Sequence, residues 1–71
     1  MNKNIIVGER IKYLRKENAL SQIALAEKIS SNQKQVSKWE TGKIEPNIDM
    51  LKKLADYFEV SVDYLIGRTD F

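Results

Sequence analysis

Apolar residues recur at helical spacing in successive short stretches of this chain, and all but the first stretch begin at a residue able to cap a helix. Val7, Ile11 and Leu14 stand at i, i+4 and i+7 with Arg10, Lys12, Arg15 and Lys16 between them. An amphipathic first helix is therefore predicted to run to about Glu17 and to stop at Asn18. Ser21 then offers its hydroxyl to an orphan backbone N–H at the start of a second helix, Gln22 to Ile29, whose inward face is Leu25, Ala26 and Ile29. Asn32 can cap a third helix reaching Thr41, with Gln35 placed to close a capping box and Gly42 just beyond as a left-handed stop. Pro46 and Asn47 open a fourth helix, along which Ile48, Leu51, Leu54, Ala55 and Phe58 follow the same spacing.

Only Val60, Val62 and Tyr64 alternate in the manner of a strand, and a single such run has no partner to pair with. A fifth short helix, capped by Ser61, turned inward at Leu65 and stopped at Gly67, accounts for the segment better. The expected fold is all-α, a compact five-helix arrangement in one domain spanning 1–71 with its core in 7–67.

With 71 residues, folding removes only about 60% of the exposable surface from water, which leaves little room for an enclosed active site. The absence of Cys and His excludes disulfides, thiolate zinc sites and imidazole bases. Tyr, Lys, Asp and Glu are present without a convergent nucleophile and base, so no enzymatic activity, metal or other cofactor is expected. Near the start, Ile5, Ile6 and Val7 are followed at once by Glu9 and Arg10, too short an apolar stretch for a signal peptide or a membrane span. A cytoplasmic location, no membrane partner and no small-molecule site are expected. Ending soon after the fifth helix, the chain reads either as a small protein complete in itself or as the front of a longer one.

The net charge of +2 conceals a division. Through Lys43 there are nine basic residues against four acidic ones, giving +5, so the remainder carries −3. Such a split suits a first half facing a polyanion, and equally an ordinary solvated helix surface. The third helix is more informative. At 100° per residue Gln33, Lys34, Ser37, Lys38 and Thr41 share one stripe, opposite Val36 and Trp39. A helix, a tight turn and a second helix with a polar, basic outer stripe let the second lie in the major groove while the first crosses the DNA backbone.

At this point the chain resembles the lambda repressor-like family of helix-turn-helix regulators, the Cro/cI or Xre type. The residues carrying the resemblance are Arg10-Ile11 and Leu14-Arg15, then Leu20-Ser21-Gln22 with Leu25-Ala26, and Val36-Ser37-Lys38-Trp39-Glu40 with Gly42-Lys43 and Pro46. Leu54-Ala55, Val60-Ser61 and Asp63-Tyr64-Leu65 complete it, so that residues 7 to 67 are covered. Short pieces of this pattern are weak alone; their order and spacing make the signal strong.

The resemblance implies sequence-specific binding of double-stranded DNA by a phage-type transcription regulator, in the repressor sense. Gln33, Lys34 and Lys38, with Ser37 as a lesser contributor, match positions that read base edges. Gln pairs with adenine N6/N7 and Lys donates to guanine O6/N7. Gln22 matches a glutamine that contacts a phosphate and braces the recognition helix, and Thr41 and Lys43 match phosphate contacts after that helix. Arg15 and Glu40 match a helix-one arginine and a recognition-helix glutamate, and both stand beside apolar residues, Leu14 and Trp39, so a structural ion pair is expected between them. One recognition helix reads few bases, so a homodimer on a palindromic operator is expected, with its contact around Val60, Val62 and Tyr64. Three turn positions, Ala19, Ser30 and Glu59, stand where the family usually has glycine, and a left-handed backbone there implies strain. Trp39 is read as packed in the interior rather than stacked on a base, Tyr13, Tyr57 and Tyr64 as half-buried flank residues, and Ile23 as a lone exposed apolar residue. Two readings on the same scaffold stay open: an antitoxin that also neutralises a partner toxin, and a protein-interaction module.

Overall fold

The structure, a computed structural model, describes residues 3–70; of the expected 1–71 span, residues 1, 2 and 71 lie outside it. Five helices follow in order: α1 (Lys3–Glu17), α2 (Gln22–Lys28), α3 (Gln33–Glu40), α4 (Ile48–Phe58) and α5 (Val62–Leu65). Among the described residues there is no strand. The all-helical reading holds, including the choice of a helix over a strand after Val60. The expected ends of α2 and α3, Ile29 and Thr41, are the C-cap residues one position beyond each helix.

Local chemistry accounts for these boundaries. Ser21, Asn32, Asn47 and Ser61 each have extended backbone, and each side chain accepts the N–H three residues on, from Ala24, Gln35, Met50 and Tyr64. Gln35 does not close the expected box in return, since among the described residues its side chain makes no hydrogen bond back to Asn32.

All five helices finish the same way. The residue after the C-cap, or the C-cap itself in α4, turns left-handed and two N–H groups reach back to orphan carbonyls, as with Leu20 to Arg15 at 3.0 Å and Val60 to Ala55 at 3.0 Å. Gly42 (φ 78°) and Gly67 (φ 84°) fill this role without strain. Ala19, Ser30 and Glu59 fill it at φ 54°, 57° and 57°, so the three departures from glycine do keep the left-handed turn.

Val7, Ile11, Leu25, Ala26, Ile29, Val36, Trp39, Leu54, Ala55 and Leu65 form one buried cluster. One expectation fails here. Ile48, in phase with the inward face of α4, is 70% exposed. It stands in the first turn, past the end of the buried cluster. Val7, Pro46, Leu51 and Ile66 with it line an open groove that no element among the described residues covers. Tyr13, at 57% exposed, also lies further out than a half-buried flank residue.

Gly8 was not singled out by pattern, yet it decides how α1 meets α3. A Cβ there would lie 2.2 Å from the Trp39 carbonyl oxygen and 3.0 Å from that of Glu40. Only glycine lets the α1 backbone approach the end of α3 this closely. That approach places Arg15, two turns further along α1, beside Glu40.

Candidate nucleic-acid interface

The outer stripe of α3 is set by what α3 buries. Val36 is fully buried and Trp39 is 2% exposed, which turns the opposite side outward. Gln33 and Lys34 are exposed, Ser37 and Lys38 partly so. Thr41 and Lys43, just past the helix, are exposed as well. The Thr41 hydroxyl donates to the Ser37 carbonyl at 3.0 Å, so it would have to rotate before donating to a phosphate.

Beneath the stripe a continuous polar chain runs from α1 to the first turn of α3. Arg15 Nε donates to Glu40 Oε2 at 2.6 Å and Arg15 Nη2 to Glu40 Oε1 at 3.0 Å, a two-point pair, while Nη1 donates to the Leu20 carbonyl at 2.8 Å. The side chains are 12% and 3% exposed. The carboxylate hydrogen bond raises the Arg15 pKa above its ordinary value, so the guanidinium stays charged.

Gln22 Nε2 donates to the same carboxylate at 3.1 Å, and Gln22 Oε1 accepts from Gln33 Nε2 at 2.9 Å. The direction of this chain follows from chemistry. An ionised carboxylate only accepts, so Gln22 must aim its amino group at Glu40 and leave its carbonyl for Gln33. Gln33 in turn keeps one N–H and its carbonyl oxygen free to face outward. Gln22 likewise keeps one N–H.

Val60, Val62 and Tyr64 are all half-buried. They pack in part against the core and in part face solvent. Among the described residues no cluster of three acidic side chains stands where it could hold a metal ion. No helix among them is long and apolar enough to cross a membrane. The resemblance implied that Gln22 braces the recognition helix but did not name Gln33 and Glu40 as its partners, because residues 11 and 18 positions apart meet only once α2 and α3 have packed.

Two short helices in this arrangement, the second held by its apolar side with an amide and ammonium stripe outward, define a helix-turn-helix protein. The sequence model of the Helix-turn-helix family matches residues 11–65, and the chain belongs to that family, of the lambda repressor-like type its motifs resemble. It is 38% identical over 60 residues to the HTH-type transcriptional activator BcrR of Enterococcus faecalis, covering 84% of this chain and 29% of that one. It is 39% identical over 62 residues to the uncharacterized HTH-type transcriptional regulator YobD of Bacillus subtilis (strain 168), covering 87% and 55%. The chain thus spans about half the length of these curated relatives or less. Among solved structures it is similar to the P22 c2 repressor in complex with synthetic operator 9T, with a TM-score of 0.85 and 33% identity over 90% of this chain and 97% of that one.

Proposed function

We propose that this chain binds double-stranded DNA sequence-specifically in the cytoplasm as a transcription regulator, laying α3 in the major groove, and that its role is binding rather than catalysis. The single observation that carries the reading is the polar chain from Arg15 through Glu40 and Gln22 to Gln33. It leaves Gln33 with one donor and one acceptor side by side, the pair that matches adenine N7 and N6. Lys34 and Lys38 flank it as donors for guanine, with Ser37 between them. Lys43, the free N–H of Gln22 and, after rotation, Thr41 face the backbone phosphates. The likeness to an operator-bound repressor favours repression as the regulatory sense.

Two copies related by a twofold axis bind together, meeting around Val60, Val62 and Tyr64, and read a palindromic operator with half-sites roughly 34 Å, or about 10 base pairs, apart. Selection of bound sequences from a random duplex library tests this reading. An inverted repeat of that spacing is the expected outcome, with affinity that falls steeply as salt rises. Recovery of no preferred sequence would overturn it in favour of a protein-interaction module.

A further inference from the structure

Arg10 lies on α1, outside the chain of residues that holds the reading face, yet it is the most heavily engaged side chain at the other end of the molecule. Its Nη1 donates to the main-chain carbonyls of Tyr64 and of Thr69, the latter at 2.6 Å. Its Nη2 lies 3.3 Å from Asp70 Oδ1, and its guanidinium carbon stands 4.4 Å from the centroid of the Tyr64 ring. The side chain is 21% exposed against 95% for Asp70, so the ion pair itself is a minor contributor, and the carbonyl bonds and the stacked ring carry the contact.

These contacts add to a helix that has little of its own to hold it. At four residues, Val62–Leu65, α5 is far below the length at which a helix stands alone, and its last carbonyls have no partners within the helix. Ser61 satisfies its N-terminal end and the fully buried Leu65 anchors one side. At the C-terminal end the N–H groups of Gly67 and Arg68 close back on the Tyr64 and Asp63 carbonyls, and a cation delivered from α1, 54 residues away, adds a second donor to the Tyr64 carbonyl.

We propose that Arg10 is a positioning residue for pairing on DNA: by bracing the end of α5 against α1 it sets the face bearing Val60, Val62 and Tyr64, and so governs cooperative binding of two copies without touching DNA. This rests on the dimer reading above. A fork that binds two carbonyls and stacks on a ring fixes the direction of α5 in a way a single point donor does not.

The test compares wild type, Arg10→Gln and Arg10→Lys on two duplexes from the library selection, one with both half-sites and one with a half-site scrambled. Arg10→Gln is expected to lose about tenfold in affinity for the two-site duplex, a coupling of ordinary size between sites, and to bind the single site within about twofold of wild type. Arg10→Lys should fall between, and Asp70→Asn should match wild type. Equal losses on both duplexes would reduce Arg10 to a residue of general stability and overturn the inference. So would undiminished cooperativity in Arg10→Gln. Wild type that itself shows no cooperativity would overturn the dimer reading, and the inference with it.

Discussion

Replacing Arg15 by Met separates what holds this fold from what aims its reading face. The guanidinium makes two bonds to Glu40 and one to the Leu20 carbonyl, and the Glu40 side chain is 3% exposed. Met follows much of the arginine stem and supplies no donor. Glu40 then keeps the Gln22 amide alone. Hydrogen bonds to a charged group contribute about 1.5–3 kcal/mol each and a neutral one about 1, and water reaching the partly open Arg15 site recovers some of that loss. The expected cost is about 3–5 kcal/mol, the range for stranding one member of a buried pair.

A chain of this size has a total stability of about 3.5–10 kcal/mol, so the variant should sit near or beyond the edge of folding. In urea titrations followed by far-UV circular dichroism, its midpoint should fall by about 2–4 M. Arg15→Met combined with Glu40→Leu removes both charges and should regain most of the stability, because an apolar replacement of a buried pair is close to neutral. The double variant should nevertheless discriminate poorly at the base pair read by Gln33, since Gln22 has lost the carboxylate that orients it. A cost below about 1 kcal/mol for Arg15→Met would place the pair with ordinary surface pairs. A double variant no more stable than the single one would equally refute the reasoning.

Gln33→Ala and Lys34→Ala should each relax discrimination at one or two base pairs by about 1–3 kcal/mol, whereas Lys43→Ala should weaken specific and scrambled duplexes alike and lower the slope of log affinity against log salt by about 1. Titration of all three over a salt series decides this, and an unchanged specific-to-scrambled ratio in the first two would discard the proposed reading face. Gly8→Ala forces a Cβ against the Trp39 carbonyl, so α1 must shift; thermal melting should show a loss of about 1–3 kcal/mol despite the better helix propensity of Ala. Glu59→Gly relieves the left-handed C-cap of α4 at φ 57°, ψ 46°. Offset by the greater freedom of glycine in the unfolded chain, it should stabilise by about 0.5–1 kcal/mol, a rise of a few degrees in Tm, and a fall in Tm would refute the strain argument.

Helix boundaries were legible in the sequence because their causes lie within four or five residues of one another. A capping oxygen at Ser21, Asn32, Asn47 or Ser61 reaches an N–H three residues on, whatever the rest of the chain does. The left-handed stops at Ala19, Ser30, Gly42, Glu59 and Gly67 close equally local loops. Spacing alone also divided α3 into a side to bury, Val36 and Trp39, and a side to expose, Gln33 and Lys34, because the twist of a helix is the same in every fold.

What periodicity could not supply was whether a neighbour would be there. Ile48 has the right phase and, among the described residues, no cover, since α4 is buried only further along, at Leu54 and Ala55. Gly8 carries no side chain to enter any pattern, and its importance appears only where the backbones of α1 and α3 touch. The bonds that orient Gln33 and the one that fastens α5 to Arg10 join residues 11 to 54 positions apart. Their lengths and directions depend on how the helices cross, and that crossing is a property of the packed interior as a whole rather than of any one segment.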